Sequence, residues 1–151
     1  MLKRRTRGKL IGGNNMEKFE LIPNKSYGIF IIGEYIEKHL HLDHVISDIE
    51  FYYSYEFTDL KINVWVENDK IETVRCDAEC YFQGKNLIGM LYDDFLSLVK
   101  QEPSNKDICY VPVSRDRGQN QNVYDFDDLG LQVWVWRNKI RTILISNYEE
   151  E

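Results

Sequence analysis

Tyr124 to Ile145 reads YDFDDLGLQVWVWRNKIRTILI, and 69 residues earlier Tyr55 to Cys76 reads YEFTDLKINVWVENDKIETVRC. Laid over one another without a gap, 55–74 and 124–143 share ten of twenty residues, among them Tyr55 with Tyr124, Phe57 with Phe126 and Asp59 with Asp128. Val64-Trp65-Val66 falls on Val133-Trp134-Val135, and Lys70, Ile71 and Thr73 fall on Lys139, Ile140 and Thr142. Identity of that density, in register, marks a duplicated structural unit and not a short-period solenoid.

Each copy spells the same local structure. Leu60, Ile62, Val64, Val66 and Leu129, Leu131, Val133, Val135 alternate with other residues, the period of a strand with one buried face. Glu67-Asn68-Asp69-Lys70 and Trp136-Arg137-Asn138-Lys139 interrupt the pattern with side chains that tolerate left-handed backbone, so a hairpin follows. The return strands carry Val74 and Cys76, or Ile143 and Ile145, on one face. The aromatic and β-branched stretch before each shared strand adds one strand more, and each copy is expected to end in a three-stranded meander.

Upstream of the first meander, LIPNKSYGIFIIG at 21–33 gives a turn and a short apolar run, after which Tyr35, Ile36, His39 and Leu40 sit at helical spacing. Upstream of the second, GKNLIG at 84–89 precedes Met90 to Val99, where Leu91, Phe95, Leu98 and Val99 share a helical face. Lys85 then matches Lys25, at an offset of 60. The expected fold is α+β: two tandem α-β-β-β repeats, about 19–80 and 81–146, forming one antiparallel sheet with the helices packed on one face. The long stretch from Ser114 to Asn122 reads as a loop.

The first fifteen residues differ in kind, with Lys3, Arg4, Arg5, Arg7 and Lys9, no acid, and Gly12-Gly13-Asn14-Asn15 before Met16. They read as a basic flexible extension that need not be native, leaving 16–151 as a single domain. Of the 19 basic residues 14 remain there against 25 acidic ones, a net charge of −11. Such a body repels nucleic-acid backbones and speeds encounter with basic partners. No stretch approaches the roughly 20 apolar residues needed to cross a bilayer. Three cysteines without a secretory signal suit a reducing cytoplasm.

Chemistry-bearing motifs are absent. No nucleophile elbow and no phosphate-binding loop occur, and the adjacent acids Asp93-Asp94 and Asp127-Asp128 suit capping and solvation. His39, His41 and His44 lack the spacing of a closed zinc site on a helix. The expectation is a non-enzymatic protein with neither cofactor nor metal.

What remains is the sheet face opposite the buried valines. Period two sends Trp65 and Glu67 there from the first copy and Trp134 and Trp136 from the second. Aromatics ringed by acids have the composition of a protein-binding patch, with Trp65, Trp134 and Trp136 as anchors and Glu67, Asp59 and Asp128 at the rim. The alternative is that these tryptophans are covered and belong to a core, or line a small-molecule pocket between the repeats.

The duplicated unit, with its G-x-x-x-x-G in GIFIIG and its closing LGLQVWVWRNKIRTILI, resembles over residues 19–146 the small bacterial cytosolic immunity proteins encoded beside polymorphic or contact-dependent toxins. A looser similarity is to β-lactamase inhibitory proteins, which also duplicate a helix-and-sheet unit, although this chain lacks their disulfides and an export signal. The resemblance implies a non-enzymatic inhibitor that neutralises one cognate toxin domain. With the acidic body, that partner is expected to be basic, of the nuclease kind, with no part for nucleic acid or membrane.

Overall fold

The computed structural model describes residues 19–49 and 52–147; the basic extension at 1–15 lies outside them. Eight strands form one antiparallel sheet: β1 (His44–Ile49), β2 (Tyr52–Phe57), β3 (Ile62–Glu67), β4 (Lys70–Cys76), β5 (Asn105–Ser114), β6 (Arg117–Phe126), β7 (Leu131–Trp136) and β8 (Lys139–Ile145). Their order across the sheet is β5-β6-β7-β8-β4-β3-β2-β1. Two four-stranded meanders therefore meet edge to edge through their last strands.

The match between the meanders extends to irregularities. Both hairpins turn on two residues with positive φ, Asn68 and Asp69 in one and Arg137 and Asn138 in the other. Both carry a bulge after the tryptophan, since Trp65 pairs with Thr73 but Val66 with Ile71, and Trp134 with Thr142 but Val135 with Ile140. A bulge increases local twist, so the two hairpins twist alike. At the seam Val74 pairs with Ile145, Cys76 with Ile143, and Arg75 with Leu144. At an offset of 69 these are each other's counterparts, so the seam has a local two-fold through Arg75 and Leu144. The four core-facing members of the seam, Val74, Cys76, Ile143 and Ile145, are fully buried.

The layer over the sheet corrects the α+β expectation. Of the described residues 54% are strand and 12% helical, and among them only α1 (Tyr92–Val99) is an α-helix. Where the first copy was expected to be helical, Ile36–His39 makes one 3-10 turn. Tyr35 and Ile36 are held to the β3–β4 hairpin, through a bridge from Tyr35 to Lys70 and a bond from the Ile36 N–H to the Asp69 carbonyl at 2.9 Å. β1 begins at His44, which leaves too few residues for the several turns a stable helix requires. Two-residue strands fill the rest of the layer, Leu21–Ile22, Ser26–Tyr27 and Phe30–Ile31 as a three-stranded piece in one copy and Tyr81–Phe82 with Lys85–Asn86 as a two-stranded piece in the other.

Backbone bonds also correct the upstream offset. Gly33 N–H donates to Ile71 and Gly89 N–H to Ile140, both at 2.8 Å, while Ile71 donates to Glu34 and Ile140 to Met90. Ile36 and Tyr92 donate in turn to Asp69 and Asn138. These bonds match at an offset of 56, not 60. Relative to the meander offset of 69, the second copy holds thirteen more residues between layer and meander. They go into a full helix and into a β5–β6 hairpin with strands of ten residues, against six in β1 and β2.

Between sheet and layer lies a continuous core that includes Phe30, Phe57, Phe95 and Phe126, with Val64, Val74, Val133, Ile140 and Ile143 from the sheet. Phe30 packs on Phe57 at 4.9 Å between ring centres, and Phe95 meets Phe126 edge-on at 5.3 Å. Among the described residues no helix is long and apolar enough to cross a membrane.

Candidate functional site

Residues directly opposite in an antiparallel ladder project to the same face. Trp65 faces Ser54 and Thr73, Trp134 faces Val123 and Thr142, and Arg75 faces Leu144, so all of these lie on the side away from the core. Because the seam is two-fold, Trp65 and Trp134 approach from opposite sides of the Arg75–Leu144 pair. Both are partly buried. They line one concavity of about 250 Å³, with Arg75, Thr142 and Leu144 as its floor and the edge hairpin's residues 109–112 as a wall.

That wall was not legible in advance. Ser114–Asn122, read as a loop, belongs largely to β6, whose Arg117-Gly-Gln-Asn-Gln-Asn run has low strand propensity but pairs with β5 and, from Asn122 onward, with β7. Gln121 is consequently buried beside the concavity. Arg75 was also missed. Its position between Val74 and Cys76, both buried, already assigns it to the tryptophan face.

Polar partners fix the site. The Trp134 Nε1–H donates to Gln132 Oε1 at 2.8 Å, and Gln132 Nε2 donates to Asp125 Oδ1 at 2.8 Å. This relay holds the indole with one edge tethered and its ring available. On the first-repeat side Arg75 Nε lies 3.2 Å from Asp77, which also accepts the Thr142 hydroxyl at 2.7 Å. Ladder positions put Glu56, Asp107 and Asp125 on the same face, on the outer strands β2, β5 and β6, so acids flank a concavity whose lining carries the single charge of Arg75.

The other expected site residues are scattered. Trp136 shares the parity of Trp134 but sits at the β7–β8 hairpin tip, with the Arg137 and Arg141 guanidinium groups 4.4 and 5.2 Å from its ring, and it does not line the concavity. Glu67 lies at the opposite hairpin tip, where burial and then the neighbouring Glu67 charge push the Glu72 carboxyl above its usual range. Asp59 and Asp128 are exposed in turns at the strand starts, and the Asp128 carbonyl accepts from Asn24 Nδ2 at 2.7 Å. The concavity thus gathers two of the six expected residues.

The three histidines point into different surroundings. His39 is buried 5.0 Å from the Phe30 ring, His41 is exposed, and His44 lies against Tyr55 and Phe57. Cys76 and Cys80 are buried thiols; a hydrogen bond with Cys76, then burial, pushes Cys80 well above its ordinary range. Such a thiol is unreactive as a nucleophile at neutral pH. No cluster of three or more metal-capable side chains occurs among the described residues.

No protein-family model, curated protein or solved structure matches the chain.

Proposed function

We propose that the chain is a non-enzymatic inhibitor of the immunity type, which holds a basic toxin domain against the acidic, tryptophan-bearing face of its sheet. One observation carries the reading: Trp65 and Trp134 line a single concavity across the repeat seam, on a face that carries Glu56, Asp107 and Asp125 on its flanking strands. Interfaces draw most of their energy from a few aromatic or arginine anchors seated in pockets, with surrounding charge governing encounter. At about 250 Å³, the concavity falls below the roughly 300–1,000 Å³ of small-molecule sites. That size favours receipt of one large side chain from a protein over a drug-sized ligand. The three free thiols, Cys109 exposed among them, support a reducing, cytoplasmic setting.

The test is neutralisation. The chain is co-expressed with the toxin-like domain encoded beside it, and growth is scored for wild type and for Trp65→Ala and Trp134→Ala. Rescue by wild type, lost in variants that still melt cooperatively, is the expected outcome. Failure to neutralise any neighbouring toxin sinks the inhibitor reading, and rescue undiminished in both variants moves the contact off this face.

A further inference from the structure

β5 is an edge of the sheet, and it keeps an uninterrupted register with β6 from Asn105 to Pro112. It carries Ile108, Tyr110 and Val113 at 62, 60 and 60% exposure. An edge strand offers a row of free N–H and C=O groups, which proteins blunt by shortness, charge or proline. Here the strand is ten residues long, Pro112 and the bulge that follows it lie toward its end, and the Ile108 N–H donates to Asp107 Oδ1 at 2.8 Å, a local bond that pairing with another strand would replace.

We propose that β5 pairs antiparallel with β5 of a second copy about a two-fold axis at Cys109, joining two eight-stranded sheets into one. Two features select a second copy as occupant. The first is register, because opposite residues must share a face. With Cys109 opposite its own copy, Ile108 falls opposite Tyr110 and Tyr110 opposite Ile108. The two exposed apolar side chains then cover each other, as a favourable aromatic–β-branched pair. Lys106 meets Pro112 and Asp107 meets Val111, so no like charges face one another. The second is charge: 16–151 carries −11, but the hairpin 105–117 has Lys106, Arg115 and Arg117 against Asp107 and Asp116, a net +1. There two acidic bodies meet the least repulsion. The pairing is isologous and closes at two, and it sets two tryptophan concavities side by side in one continuous sheet.

Light scattering on the eluting protein should give twice 18.0 kDa, and Ile108→Lys, at a side chain already exposed, should return the mass to 18.0 kDa while the protein still melts cooperatively, at a temperature that no longer rises with concentration. Opposed Cα atoms at about 4.5–5.5 Å fall within the span of about 4.4–6.8 Å that a disulfide bridges. Diamide, which takes one hydrogen from each of two thiols and becomes the hydrazine, should therefore link wild-type Cys109 to its copy and leave Cys109→Ser unlinked. A mass of 18.0 kDa at every concentration up to the solubility limit overturns the proposal. So does a dimer that survives Ile108→Lys, or one that diamide fails to link through Cys109. Neutralisation by the monomeric Ile108→Lys variant is scored separately, so that loss of the dimer and loss of the inhibitor reading are told apart.

Discussion

His39 stands in the first repeat where Phe95 stands in the second, at the 56-residue offset of the upstream segments, and each packs edge-on against a core phenylalanine. The imidazole is buried, and its Nε2 has no partner. Burial and then the Lys38 charge lower its pKa from 6.5. The sign follows from linkage: the folded state holds the ring neutral, so above 6.5 the group costs nothing extra, while below it the unfolded chain binds a proton that the folded chain refuses. His39→Phe should therefore flatten the loss of melting temperature as pH falls below 6.5. At neutral pH it should add on the order of 1 kcal/mol by removing an unsatisfied buried nitrogen. Parallel melting curves for the two proteins across that range would contradict this account. Gly130 gives a second comparison between repeats, because its counterpart Lys61 has nearly the same backbone, φ 58 against 65. What demands glycine is space: a Cβ at 130 would lie 2.1 Å from the Ser146 carbonyl oxygen. Gly130→Ala should cost about 3 kcal/mol by denaturant unfolding, combining left-handed backbone with a backbone clash, whereas Lys61→Ala should stay near the cost of a surface change.

At the scale of elements, α1 ends on Lys100 in the left-handed conformation (φ 56), its N–H donating to Leu96. Glycine takes that conformation without the Cβ penalty, so Lys100→Gly should stabilise the protein by about 1 kcal/mol in chemical unfolding; an unchanged midpoint would count against the cap as described. The elements also show what the sequence could and could not disclose. Alternation at 60–66 and 129–135 gave the shared strands, and Asn68-Asp69 and Arg137-Asn138 gave the hairpins, because those signals are local and each copy repeats them. Helical spacing at Tyr35, Ile36, His39 and Leu40 misled, since the hairpin residues that pin Tyr35 and Ile36, Lys70 and Asp69, lie far downstream in the chain. Polar β6 misled in the other direction, its strand state being imposed by pairing. The site inherits this division. Trp65 and Trp134 followed from period two, but the wall of the concavity stands on the unread hairpin, and the rim acids Asp59 and Asp128 were assigned without knowing that their turns lie at the strand ends.

At the scale of the molecule, the repeats are interlocked more than abutted. The strand seam itself spans only three residue pairs, a contact too small to hold two independent units together. Around it, segments cross. Asn24 of the first repeat donates its backbone N–H to Leu129 of the second at 2.9 Å, the Thr73 and Ser146 hydroxyls bond at 2.9 Å, and the Tyr81 N–H donates to the Tyr27 hydroxyl at 3.1 Å. Val74 and Cys76 owe their complete burial in part to Ile143 and Ile145 across the seam. A unit of about 60 residues is marginal even with a closed core, since it buries only about 60% of its unfolded surface. Separated from its partner, residues 19–80 would expose that seam and lose the crossing bonds. The fragments 19–80 and 81–147, made singly, should therefore lack cooperative unfolding and show poorly dispersed amide spectra, and mixing them should restore both together with the partly buried tryptophan emission of the whole chain. The intact protein should melt in one transition, with Trp65 and the second-repeat tryptophans reporting the same midpoint. A fragment that unfolds cooperatively alone, or two resolved transitions in the whole chain, would mean that each meander has a sufficient core of its own and that the concavity between Trp65 and Trp134 is a flexible junction instead of a rigid one.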